Sequence, residues 1–160
     1  MLKLDRTDRR ILTLLQEHGE LSNLELAERV GLSPSPCSRR VKALEEAGLI
    51  RGRVTLLNPD ALNLKLTAYI HVTVDKHTPE RLAAFSETIR QIPEVLECAL
   101  ITGNDADYQL TVMVPDMDRY QAFLLGKLTR IPGVRGVRSS FVLQQIKQQT
   151  ALPLDHLEGA

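Results

Sequence analysis

The sequence predicts an α+β chain in two parts: a three-helix unit, then a four-stranded sheet with two helices. Three observations carry this. Residues 21–50, LSNLELAERVGLSPSPCSRRVKALEEAGLI, pattern as helix, tight turn, helix. From Leu66 the apolar period changes to two, with Leu66, Ala68, Ile70, Val72 and Val74 alternating against Thr67, Tyr69, His71 and Thr73. Finally, Ile92-Pro93-Glu94-Val95 returns as Ile131-Pro132-Gly133-Val134, so one helix-to-strand junction is written twice.

The first helix runs from Asp5 to His18. Asp5 caps it, Ile11, Leu12, Leu14 and Leu15 supply its buried side, and Gly19 ends it. The second opens on a capping box, Ser22 with Glu25, and Leu21 and Leu26 sit at the staple positions around it. Leu26, Ala27 and Val30 face inward. Gly31 then stops the helix, because glycine accepts the left-handed conformation a helix end needs. Ser33 caps the third helix and Pro34 falls at its first position, where a missing N–H costs nothing.

That third helix has two faces. Cys37, Val41 and Leu44 recur at i, i+4, i+7 and face the core. Ser35, Ser38, Arg39 and Lys42 recur at i, i+3, i+4, i+7 and face outward. The outward stripe holds hydroxyls, a guanidinium and an ammonium, and no acid. These are donors for phosphate oxygens and for acceptors on base edges. The arrangement is that of a helix-turn-helix whose second helix enters the major groove. The plainer alternative is a solvated polar face on an ordinary helix pair. After Gly48, Arg51-Gly52-Arg53 lies between strand formers and reads equally as a short hairpin, or wing, and as an exposed linker. The candidate DNA-contacting residues are Ser33, Ser35, Ser38, Arg39, Arg40, Lys42, Arg51 and Arg53.

Charge supports the same face. Over the 160 residues, 20 Lys/Arg cancel 20 Asp/Glu. Residues 33–55 nevertheless carry five basic against two acidic side chains, so the positive charge gathers on the helix-turn-helix. Aromatics are 4% of the chain and Trp is absent, so the cores are aliphatic.

Asn58-Pro59-Asp60 marks the boundary, which gives a helical unit at 1–56, a linker at 57–65, a sheet domain at 66–146 and a tail at 147–160. In the sheet domain, Thr78-Pro79 starts a helix with Leu82, Phe85, Ile89 and Ile92 inward. Val95 to Thr102 is the second strand, and Tyr108 to Val114 is the third. Asp116 caps a helix with Met117, Tyr120, Leu124, Leu128 and Ile131 inward, and Val134 to Ile146 is the last strand. The order βαββαβ is that of the ferredoxin-like fold. Two helices cover one face of such a sheet. The other face, with Tyr69 on it, calls for a second copy, hence a dimer. The tail holds Leu152-Pro153-Leu154 and reads as an edge strand or an arm on a neighbouring subunit.

This combination resembles the Lrp/AsnC (feast/famine) family of transcription regulators. In the first unit the resemblance is carried by Leu4-Asp5, Asp8, Ile11-Leu12, Leu32 to Cys37, Arg40-Val41, Leu44-Glu45 and Gly48-Leu49-Ile50. In the second it is carried by Thr102-Gly103, Asp107-Tyr108, Ile131 to Val134, Ser139-Ser140-Phe141 and Ile146-Lys147. It implies an N-terminal winged helix-turn-helix, a C-terminal ferredoxin-like (RAM/ACT-like) domain that senses an amino acid, and dimers assembling to octamers. The final stretch looks like the branch responsive to leucine or methionine. The implied effector residues are Thr102, Gly103, Asn104, Asp105, Asp107, Tyr108 and Ser139. The family usually has two residues between this glycine and its aspartate and this chain has three, so Asp105 or Asp107 takes that place. Tyr108 after Asp107 favours Asp107.

No catalytic or metal chemistry is expected. His18, His71, His77 and His156 have no ligand at metal spacing, and no phosphate loop, nucleophile elbow or dinucleotide fingerprint is present. Cys37 and Cys98 read as reduced core residues. With no signal peptide or membrane-length apolar run, the expected place is the cytoplasm, at the nucleoid. The leading function is a sequence-specific DNA-binding regulator answering to a small amino acid. The alternatives are a ligand-independent DNA-architectural protein and a metabolite-binding module acting on an enzyme.

Overall fold

A computed structural model describes residues 4–103 and 106–157. The chain forms two compact units, Met1–Leu56 with Lys147–Ala160, and Leu57–Ile146.

In the helical unit, α1 is Arg6–Glu17, α2 is Asn23–Val30 and α3 is Pro34–Glu46. Two of the three predicted caps, at Asp5 and Ser22, form as reciprocal boxes. Asp5 accepts from the Asp8 amide at 2.8 Å while Asp8 accepts from the Asp5 amide at 3.1 Å. Ser22 and Glu25 do the same for α2. Gly31 takes φ 73°, and the Leu32 amide reaches back to the Ala27 carbonyl at 2.9 Å. Ser33, in contrast, makes no side-chain cap bond, so Pro34 alone carries the start of α3. Ile11, Leu12, Leu21, Leu26, Ala27, Val30, Cys37 and Leu44 form the core, with Val41 only half-buried. Leu14 and Leu15 pack at its margin rather than inside it.

A core of that size is marginal on its own, and two further ties support it. Arg40 bonds Asp5 and Asp8 at 2.7 Å each. The tail forms no edge strand; Leu154 packs against the core and Gln16 holds Leu152. No strand pairing follows α3 within this unit among the described residues, and residues 51–58 at the wing position are exposed.

In the second unit, a 3₁₀ turn at Asp60–Leu62 leads into β1 (Leu66–Val74). Then come α4 (Pro79–Arg90), β2 (Val95–Leu100), β3 (Tyr108–Val114), α5 (Met117–Gly126), a 3₁₀ turn at Leu128–Arg130 and β4 (Val134–Phe141). The sheet is antiparallel in the order β2-β3-β1-β4. Ile70 lies opposite both Leu110 and Ser139, so the alternation predicted for β1 sets one buried face across three strands. Phe85, Ile89, Tyr120, Phe123, Leu128 and Ile131 close that face.

Some expected features differ. α5 breaks near Gly126 into its 3₁₀ turn, which buries Leu128 but leaves Leu124 half-buried and Met117 exposed. β2 ends at Leu100, and β4 at Phe141 rather than Ile146. A register shift between Val95 and Glu97 makes β2 irregular at the sheet edge, and Cys98 is exposed there rather than core. Both cysteines are free thiols. Gly133, in the repeated junction, has φ 94°, and a Cβ there would meet Arg81 Cδ at 2.7 Å and Asp75 Oδ1 at 2.8 Å.

Candidate DNA and effector sites

The outward stripe of α3 forms as the periodicity requires. Ser35, Ser38, Arg39 and Lys42 line the side of the helix away from its core residues, and Ser33 precedes them at the helix start. Arg39 has no ion-pair partner among the described residues, and Lys42 meets Glu46 at 3.7 Å across an exposed turn. Such surface pairs are worth at most about 1 kcal/mol, so a phosphate displaces the carboxylate readily. Arg51 and Arg53 are exposed beyond the helix, with Arg53 3.8 Å from Glu45. A depression of about 380 Å³ runs beside α3, lined by Ser38, Lys42, Glu45 and Arg53 from the polar side and by Leu26 and Val41 from the core side.

Arg40 behaves differently from its neighbours on the stripe. One position round the helix, its guanidinium turns inward to Asp5 and Asp8. Asp8 is buried, and the amide of Asp8 with the Arg40 charge holds the Asp5 carboxyl below the usual range. Arg40 therefore fastens α3 to α1 through its Nη1. A single helical wheel does not reveal this, because the partners are 32 and 35 residues away.

The loop between β2 and β3 is held from within the sheet unit. The Asp107 amide donates to the Val72 carbonyl at 2.9 Å, and the Ile101 amide donates to the Asp107 carbonyl at 2.9 Å. The Asp107 carboxylate accepts from the Val74 amide at 2.7 Å and meets His77 Nε2 at 2.5 Å. The Val74 amide, helped by His77, lowers the Asp107 pKa. Asp107 is thus an anion tying the end of β1 to the start of β3.

Tyr108 is buried, packed on Phe85 with ring centroids 4.3 Å apart, and its hydroxyl points to the Leu82 carbonyl at 3.4 Å. Ser139 faces the helices and its hydroxyl bonds that of Tyr120. Both hydroxyls are therefore engaged within the sheet unit. Thr102 and Gly103 are exposed, and nothing lies within 4 Å of a Cβ built on Gly103. Asn104 and Asp105 lie outside the described residues. His77 joins the loop without any sequence signal to announce it, because it is 30 residues away from Asp107 and only a turn-rich context surrounds it.

Residues 67–152 match the model of the Lrp/AsnC ligand binding domain, and residues 4–51 match a winged helix-turn-helix DNA-binding domain. The chain belongs to the Lrp/AsnC family.

Lrp/AsnC relatives align along nearly its whole length. The leucine-responsive regulatory protein of Escherichia coli is 42% identical over 93% of this chain and 90% of its own. A transcriptional regulator of Neisseria meningitidis, solved as its L-Met complex, is 46% identical with a TM-score of 0.92, covering 97% of this chain and 99% of that one. An AsnC family regulator of Agrobacterium tumefaciens is 45% identical with a TM-score of 0.89, over 95% and 98%. The Lrp/AsnC chain is accordingly a DNA-binding transcription regulator with an amino-acid ligand domain, and not an enzyme. Among the described residues no group of three His, Cys, Asp or Glu is placed to hold a metal, and no helix is long and apolar enough to cross a membrane.

Proposed function

We propose that the chain binds duplex DNA through Ser35, Ser38, Arg39 and Lys42 of α3, backed by Arg51 and Arg53, and that a small apolar amino acid modulates this binding. The observation that supports it best is the outward, acid-free stripe on α3, separate from the inward-turned Arg40. The stripe supplies donors for the major groove, and the two arginines beyond it supply charge for the backbone. Operation at the nucleoid, in the cytoplasm, follows from the DNA partner.

The effector reading is methionine or leucine, supported by the relative solved with L-Met and by the relative named for leucine. Thr102 and Gly103 offer exposed backbone for an α-carboxylate. Because Tyr108 and Ser139 are engaged elsewhere and Asp107 is already tied, a ligand in this chain relies on the loop and on a neighbouring subunit.

Assembly is read as a dimer through the sheet face that α4 and α5 leave uncovered, carrying Tyr69, His71, Thr111 and Met113, and then as an octamer. Sedimentation of the full chain measures the assembly, and Tyr69→Asp shifts it to smaller species if that face is the interface. A thermal-shift screen across the amino acids tests the effector, since a ligand bound only by the folded chain raises Tm. A rise with methionine or leucine is expected. No rise at millimolar concentration favours the ligand-independent architectural reading, to which the internal bonds of Asp107 lend support.

A further inference from the structure

We propose that α1 carries a docking site for an extended peptide segment, that residues 151–157 of this chain are its occupant, and that this arm acts on the recognition helix. Arg9, Leu12 and Gln16 recur at i, i+3, i+7 and so share one side of α1. The Gln16 amide spans the backbone of one tail residue. Its Oε1 accepts from the Leu152 amide at 2.7 Å and its Nε2 donates to the Leu152 carbonyl at 3.1 Å. A side-chain amide presents an acceptor oxygen beside a donor nitrogen in one plane, as a neighbouring strand would, so it reads extended backbone and not side-chain identity. The Leu152 side chain accordingly stays exposed.

Selectivity comes further along. Leu154 enters the margin of the helical core, a turn closed by the Leu157 amide on the Leu154 carbonyl at 3.1 Å follows, and Arg9 Nη1 donates to the Leu157 carbonyl at 2.9 Å. Pro153 presets the extended entry and cannot compete with Leu152 as a donor to Gln16 Oε1, because it has no N–H. At the N-terminal end of the same helix, its cap Asp5 and Asp8 grip Arg40 of α3 at 2.7 Å. The tail continues the chain after β4. The arm held by Gln16 and Arg9 and the recognition helix held through Arg40 thus share α1 as their support.

The test uses the full chain and a labelled peptide of residues 147–157. In the parent protein the attached tail fills the site at an effective concentration of ~1 mM, so the added peptide binds poorly. Leu152→Pro removes the N–H whose hydrogen bond Gln16 accepts and leaves Leu154 intact. This variant is expected to expose residues 150–157 to proteinase K and to bind the added peptide. Combining it with Gln16→Ala is expected to abolish peptide binding. Gln16→Ala alone should release the tail without touching tail sequence, and so checks that the proline variant is not merely misfolded. Released tails should weaken DNA binding about two- to thirtyfold, the span of couplings carried between sites in packed networks. Three results overturn the proposal: a tail that stays protected in both variants, peptide binding indifferent to Gln16, or unchanged DNA affinity with the tail released.

Discussion

The polar face of α3 and the loop before β3 differ in how many of their groups remain open to a partner. On α3, Ser35, Ser38 and Arg39 point away from the core, and Lys42 holds only a long, exposed pair. In the loop, both Asp107 carboxylate oxygens, its amide and its carbonyl are bonded within the sheet unit. A surface that works by charge can be displayed by one helix, ready before its partner arrives. A pocket for a small molecule needs walls, and this loop spends its strongest group on holding two strands together.

The largest expected effect lies on α3. Arg39→Ala with Lys42→Ala should cost DNA affinity about 1–3 kcal/mol for each side chain removed and reduce the salt slope by about one per phosphate, with Tm unchanged. Filter binding over a salt series reads both, and unaltered affinity would end the assignment of this face.

Arg40→Ala sharpens the contrast from one residue further on. It leaves Asp5 and the buried Asp8 facing each other, so the helical unit should lose about 1–3 kcal/mol, towards the lower end because Arg40 is partly exposed. Denaturant unfolding measures it. A variant of full stability and weak DNA binding would place Arg40 on the DNA instead.

In the loop, Asp107→Ala should strand the Val74 amide and lower stability by about 1–2 kcal/mol with or without an amino acid present. If melting moves only in the presence of ligand, the carboxylate belongs to the effector and not to the strands.

The smallest effect is on pH. Asp5 and Asp107 both have folded values below the ordinary ~3.9 for aspartate. Their contribution is complete above that value and is lost as pH falls through the lowered ones. A stability curve measured from pH 5 to pH 2 should fall in both units, and Asp107→Asn should flatten the part due to the sheet.

The legibility of these regions follows the range of the interactions that make them. Caps at Asp5 and Ser22, the turn at Gly31 and the alternation of β1 depend on neighbours within a few residues, so a linear reading finds them. The stripe on α3 is visible for the same reason. The inward turn of Arg40, the Asp107–His77 contact and the burial of the Tyr108 hydroxyl each depend on a partner 26 or more residues away. Ser139 illustrates the limit: its strand is legible, but a strand end that stops at Phe141 and a Tyr120 reaching across from α5 decide where its hydroxyl goes. Cys98 fits an apolar pattern and lies opposite the buried Leu110, yet it sits on the edge strand and is exposed, which no pattern announces.

The docking of residues 151–157 on α1 also bears on how the chain is made. The contacts among α1, α2 and α3 are local, so this unit can form early as the chain emerges, whereas β1 must wait for β3 and then β4. Gln16 and Arg9 meet partners 136 and 148 residues away. The unit that folds first is therefore the one completed last: until synthesis has passed Leu157, the ribosome holds a recognition helix whose supporting helix lacks its final strut.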